Sequence, residues 1–166
     1  MIYNAFQDKQ LSLLGFGTMR LPVDANGVID QQQVNEMTDY ALAHGVNYFD
    51  TAWPYHQGNS ERVIGRVLKN YPRESFYLAD KYPGHQIASS YDPAATFEEQ
   101  LENCGVEYFD IYLMHALNRN SHEKYKATRA YDIAQELKAE GKVRHVGFSF
   151  HDTAEVLDKI LTERPE

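Results

Sequence analysis

The sequence predicts an α/β fold built on a parallel sheet. Short apolar runs alternate with amphipathic helical patterns five times along the chain, the pattern of repeated strand–helix units. The connections between them are short, as right-handed crossovers within one sheet require. Polar residues also recur beside the runs: Asp50, Lys81 and His115 end or follow three successive ones, and Tyr55 comes just after the first of these. In a closed barrel of parallel strands the active site gathers at the carboxyl ends of the strands, so polar residues placed there are candidate catalytic groups.

An N-terminal segment that can form a hairpin precedes the first strand, which is expected over residues 13–19, an apolar run carrying glycines. Pro22, Asp24, Asn26 and Gly27 then mark a loop. Asp30 can cap a first helix with Val34, Met37 and Ala41 on one face, ended by Gly45. The second strand is expected over residues 47–51, and Val63, Ile64, Val67 and Leu68 mark the second helix. Residues 76–82 read as the third strand, followed by a helix through Phe97, Leu101 and Cys104. The fourth strand, residues 108–114, is apolar on both faces, as a strand covered by helices on one side and closed into a barrel on the other should be. Ala127, Ala130, Tyr131, Ala134 and Leu137 stripe one fourth helix that stops at Gly141. Residues 143–150 form the fifth strand, and Leu157, Ile160 and Leu161 mark the fifth helix. A complete eight-unit barrel takes about 250 residues, so the 166 here match the first five units. An open, doubly wound five-stranded sheet accommodates the same pattern and fits the length better. Motif content has to decide between them.

With 43% hydrophobic residues the chain can bury one core, and a single domain over residues 1–166 is expected. The net charge of −8, from 24 acidic and 16 basic residues with no long Lys/Arg run, argues against nucleic acid as a partner. The single cysteine, Cys104, excludes an internal disulfide and an all-cysteine cluster, and suits a reducing cytoplasm. No apolar stretch approaches the roughly 18 residues of a membrane span, and residues 1–10 lack the basic and apolar regions of a secretory signal. A soluble, cytoplasmic protein is the expectation. His44, His56, His85, His122, His145 and His151 form no i, i+4 pair with a carboxylate between, so no metal site is expected.

Three segments carry the chemistry: Phe49-Asp50-Thr51-Ala52-Trp53-Pro54-Tyr55, Ala79-Asp80-Lys81-Tyr82 and Tyr112-Leu113-Met114-His115. Together they resemble the aldo-keto reductase family. The resemblance extends to Leu14-Gly15-Phe16-Gly17-Thr18-Met19-Arg20, to Gly58-Asn59-Ser60-Glu61 and to the stretch from Gly141 to Ser149, so it covers nearly the whole chain in order. It implies a parallel (β/α)8 TIM barrel of aldo-keto reductase type, here truncated after about five β/α units. It also implies a tetrad of Asp50, Tyr55, Lys81 and His115. The residue types suit those roles. Reduction of a carbonyl leaves an alkoxide that needs a proton, and a phenol with an ordinary pKa near 10 is a reluctant donor. A lysine cation favours its phenolate, an aspartate keeps that lysine charged and oriented, and a histidine donates a hydrogen bond to the carbonyl oxygen.

Hydride chemistry needs a nicotinamide cofactor, since no side chain donates hydride. The run from Gly15 to Arg20 is not a dinucleotide fingerprint, because Arg20 stands at the third glycine position and a proline-bearing loop follows it. The resemblance implies NADPH (NADP+) bound across the barrel mouth, with Gly17, Thr18, Met19, Asp50 and Ser149 among its contacts. Ser149 is followed by Phe150 and His151 where many relatives have Ser-Asn, and this variant resembles a family branch whose longer members can carry an iron-sulfur tail. Trp53 and Tyr82 are equally candidates for pocket lining and for packing, and Glu61 is read as structural support for the second helix.

The function implied is reduction of an aldehyde or ketone, a small-molecule carbonyl, with Tyr55 as general acid. The alternative is a catalytically inactive truncated barrel, acting as a fragment or as a binding or regulatory module. Grips on the adenosine phosphate lie beyond position 166 in relatives, and unpaired strand edges imply self-association or a longer product, of which a fragment is the expectation. A metal-dependent hydrolase is a third class and would require bound metal.

Overall fold

The computed structural model describes residues 1–86 and 92–165. It begins with the expected antiparallel hairpin, β1 (Tyr3–Phe6) with β2 (Lys9–Ser12). Asn47 pins this hairpin to the main sheet: its amide oxygen accepts from Ser12 N–H at 2.8 Å and its NH2 donates to Gln10 O at 2.9 Å. The next strand, β3 (Phe16–Gly17), is shorter than the apolar run around it. Leu13 N–H is still bonded back to Ile2 O, and Leu13 and Leu14 are exposed.

Asp30 caps α1 (Gln31–Ala43) by accepting from Gln33 N–H at 3.0 Å, and Gly45, at φ 86°, lies just past its end. The buried stripe is Val34, Thr38 and Ala41; Met37, expected on that face, lies at its edge and is exposed. β4 (Tyr48–Asp50) leads through a short 3-10 turn at Tyr55–Gly58 into α2 (Ser60–Leu68), which is buried along most of its length. β5 (Tyr77–Tyr82) precedes α3 (Pro93–Cys104), started by Asp92 accepting from Ala94 N–H and closed by Gly105 in the left-handed conformation. β6 (Phe109–Leu117) runs three residues past its expected end.

The single helix expected after β6 is two: α4 (Arg119–Ala127), opened by an Asn118/Ser121 capping box, and α5 (Ala130–Ala139). Arg129 at φ 56° breaks the helical ladder between them. β7 (Val143–Phe150) and α6 (Ala154–Glu163) complete the described chain. On α6 it is Val156 and Ile160 that are buried, while Leu161 is exposed.

The sheet order is β3-β4-β5-β6-β7, all parallel. A doubly wound sheet reverses its strand order at one point, whereas an unbroken sequential order with right-handed crossovers keeps all helices on one face, as in a barrel. The helical face holds the core, including Phe49, Ile64, Leu78, Phe97, Phe109 and Tyr112. Alternation along β5 turns Leu78, Asp80 and Tyr82 toward the helices and leaves Lys81 on the opposite face beside Asp50.

Helices α2 and α3 cross at Gly65, where an added Cβ would lie 2.4 Å from the Cys104 carbonyl oxygen. Because the obstruction is backbone, Gly65→Ala forces the two helices apart. It should lower stability by about 1–3 kcal/mol, read as a shift of the urea midpoint at unchanged slope.

Candidate active site

Four polar residues converge at the carboxyl ends of β4, β5 and β6. The Lys81 ammonium donates to Asp50 Oδ1 at 2.5 Å and to the Thr51 carbonyl oxygen at 2.7 Å. The same Nζ lies 4.8 Å from the centroid of the Tyr55 ring. His115 meets Tyr55 edge to face, with ring centroids 5.8 Å apart and an interplanar angle of 81°. The lysine side chain is 6% exposed and the aspartate 27%, so the ion pair is largely withdrawn from water.

Local backbone geometry aims each group. Gly17 pairs with Asp50, which brings the ends of β3 and β4 level, and Asp50 pairs with Ala79, two residues before Lys81 on β5. Thr18 is fully buried: its N–H and hydroxyl both donate to the Asp50 carbonyl, at 2.9 and 3.0 Å, and Ser60 Oγ donates to its hydroxyl at 2.7 Å. The Tyr55 turn is held in an unusual shape, with His56 and Gln57 both at positive φ. Such residues cost about 1 kcal/mol or more each, and His56 Nε2 compensates by accepting from Leu21 N–H at 2.9 Å.

His115 sits in a β-bulge. The β6–β7 register shifts between Met114 and Leu117, and Ala116 is left-handed at φ 53°. A bulge re-aims the neighbouring side chain. Ser149 Oγ secures it by accepting from Ala116 N–H at 2.7 Å, and the Tyr125 hydroxyl donates to the His115 carbonyl at 2.7 Å. Burial, then the neighbouring His85, Lys81 and His151, push the His115 imidazole down to about 3, so it is neutral at pH 7. Its Nδ1 is buried and, among the described residues, has no hydrogen-bond partner. An unpaired acceptor is better tolerated than an unpaired N–H, which places the proton on Nε2.

The residues matched to a cofactor are spread around these four. Gly17 is exposed, with no described residue within 4 Å of where a Cβ would lie, and Met19 is exposed. Ser149 lies beside the bulge. Trp53 borders a cavity of about 430 Å³ shared with Pro54, Gln86 and Asn103, whereas Tyr82 is 1% exposed and part of the core. Among the described residues no group of three His, Cys, Asp or Glu side chains is placed to hold a metal ion, and no helix is long and apolar enough to cross a membrane.

Sequence reading missed several supports. His85, whose ring centroid is 4.7 Å from that of His115, stands four residues beyond Lys81 at the same strand end, and that offset was its only signal. Tyr125 was hidden because α4 was not foreseen. Glu61 is fully buried against Asp80, Gln100 and Asn103, so it supports more than the second helix.

A family model described as the aldo/keto reductase family matches residues 13–165, and the chain belongs to that family. A probable aldo-keto reductase of Glycine max is 30% identical over 151 residues, covering 86% of this chain and 42% of the relative. The NADH-specific methylglyoxal reductase of Escherichia coli (strain K12) is 32% identical over 161 residues, covering 84% of this chain and 48% of that protein. Among solved structures, a Klebsiella pneumoniae aldo-keto reductase in complex with NADPH aligns at TM-score 0.73 and 25% identity, covering 92% of this chain and 50% of that one. The holo form of a Bacillus halodurans aldo-keto reductase aligns at 0.75 and 27%, covering 98% and 54%. The five-stranded sheet therefore matches the TIM barrel of this family, and the chain spans about half the length of the curated relatives it matches.

Because the unfolded chain binds a proton on His115 near the ordinary 6.5 and the folded chain only near 3, acid favours unfolding across that window. The ring nitrogens of His115 should show no titration between pH 5 and 8 in nitrogen-detected NMR. A midpoint near 6.5 would contradict its burial.

Proposed function

We propose that this chain carries the reacting-group site of a nicotinamide-dependent oxidoreductase that reduces an aldehyde or ketone to an alcohol. The observation that carries this reading is the position of the Lys81 ammonium, between Asp50 at 2.5 Å and the Tyr55 ring at 4.8 Å. An ammonium beside a phenol stabilises the phenolate left when the phenol gives up its proton. Tyr55 is then the general acid. Asp50 and the Thr51 carbonyl hold the ammonium in place, and neutral His115 presents Nε2–H to the carbonyl oxygen.

The residues expected to meet a cofactor support the same reading. The open space over Gly17, the exposed Met19 side chain and the Ser149 hydroxyl, which accepts from Ala116 and keeps its own proton to donate, suit a nicotinamide cofactor held with Asp50. Thr18 contributes by fixing the Asp50 backbone rather than through a free side chain. The hydride is the contribution of a bound NADPH, the choice favoured by resemblance and by the Klebsiella pneumoniae structure. In the balanced reaction the carbonyl carbon gains hydride, the oxygen gains the Tyr55 proton, and the products are the alcohol, NADP+ and a phenolate that solvent reprotonates.

Tyr55→Phe should lower carbonyl reduction by about 10²–10⁴-fold while NADPH still quenches Trp53 fluorescence saturably. Turnover retained in that variant removes the acid role. Lys81→Met should impair both turnover and cofactor binding, because its cation serves the phenolate and the cofactor side of the site together.

A further inference from the structure

Behind Lys81, on the helical face of β5, lies a buried polar cluster that the reaction itself does not use. Glu61 and Asp80 are both fully buried, belong to one cluster through Gln100 and Lys81, and are close enough that, beyond burial itself, the Glu61 charge raises the Asp80 carboxyl pKa. Glu61 accepts from Gln100 Nε2 at 3.0 Å and from Asn103 Nδ2 at 2.8 Å. Asp80 accepts from the Lys81 backbone N–H at 2.7 Å, and the Cys104 thiol lies 3.8 Å from its other oxygen. Gln100 Nε2 also donates to the Lys81 carbonyl oxygen at 3.1 Å, and Tyr112 donates to Gln100 Oε1 at 2.6 Å. Among the described residues the titratable groups around the pair include Cys104 and Glu99 of α3, Tyr112 of β6, and Lys81, with Tyr82 and Tyr125 beyond Tyr112.

The cluster stands where the strand ladder runs out. β4 stops at Asp50 opposite Ala79, whose carbonyl accepts from Thr51 N–H at 2.9 Å. The next β5 groups facing that way are the N–H and C=O of Lys81. Side chains, not a strand, satisfy both. Two charged carboxylates cannot share such a site, and the donors decide where the proton goes. Glu61 faces two amide NH2 groups and suits a carboxylate, whereas Asp80 has one strong donor and can give a proton to Glu61. Burial first, then the Glu61 charge, hold Asp80 well above the usual carboxylate range.

We propose that Glu61 and Asp80, a carboxylate and a carboxylic acid joined by one proton, are positioning residues that fix the Lys81 backbone and so the placement of its ammonium against Tyr55. This rests on the reductase reading above. Neither residue touches substrate.

The test compares variants by kinetics and infrared spectroscopy. The protein at pH 7 should show the carbonyl stretch of a protonated carboxyl group, shifted by carbon-13 aspartate labelling and lost in Asp80→Asn. Asp80→Asn keeps both the acceptor for Lys81 N–H and a donor to Glu61, so it should retain most of kcat. Glu61→Gln sets an NH2 against the amides of Gln100 or Asn103, and should lower kcat by up to about 10²-fold with NADPH affinity little changed. If that variant does not fold, Tyr112→Phe, which frees Gln100 to turn, should lower kcat several-fold in a chain that still folds, with a melting temperature lowered by the loss of one buried hydrogen bond. Absence of the acid band, equal losses in Asp80→Asn and Glu61→Gln, or wild-type kcat in a folded Glu61→Gln or in Tyr112→Phe would each overturn the proposal. Turnover surviving Tyr55→Phe would instead remove the reductase reading, on which the acid band does not depend.

Discussion

A buried ammonium has to be matched on every side, and Lys81 sets that demand for the whole carboxyl end of the sheet. Withdrawing a charge from water costs several kcal/mol unless partners replace the lost solvation. Asp50 and the Thr51 carbonyl supply those partners, but only while β4 ends where it does. Thr18 and Ser60 hold that end of β4 from one side, and Gln100 with Asp80 hold β5 from the other. Side chains from β4, β5, α2, α3 and the residue just after β3 are therefore committed to the placement of one nitrogen atom.

The alternation of five strands with helices was legible because hydrophobic periodicity reports which residues face a core, but it left a doubly wound sheet as a rival, and only the motif resemblance pointed to the sequential order that the sheet has. Strand ends were less legible. The run around β3 is apolar for seven residues, yet only Phe16 and Gly17 pair, because Leu13 is still held by the hairpin. The split between α4 and α5 had no glycine or proline to announce it; Arg129 adopts a conformation that its residue type rarely signals. Met37 and Leu161 were placed in the core by spacing alone, although a helix face only partly covered by neighbours leaves its margins to solvent.

For the site, placement at the ends of apolar runs made Asp50, Lys81 and His115 candidates and the family resemblance implied the set with Tyr55, and the fold brings those four together. The supports around them were not legible. A bulge depends on one residue's backbone angle, so nothing at Ala116 predicted it. Glu61, Asp80 and Gln100 lie 19 or more positions apart in pairs such as Glu61 with Asp80, and only the packing of α2 on α3 through Gly65 joins them. Charged residues read singly are expected on the surface, which is why a fully buried pair went unread.

The ion pair of Lys81 with Asp50 has a consequence for chemical selectivity. A primary amine next to an aldehyde ordinarily condenses with it to an imine, as Schiff-base lysines do. Two N–H bonds of Lys81 end on Asp50 and Thr51, and the nitrogen lies against the Tyr55 ring. An ammonium so engaged has no lone pair to attack with. Under the proposed reductase reading, an aldehyde placed beside Lys81 would meet a cation rather than a free amine, and the carboxylate that orients the cation would also keep it from condensing.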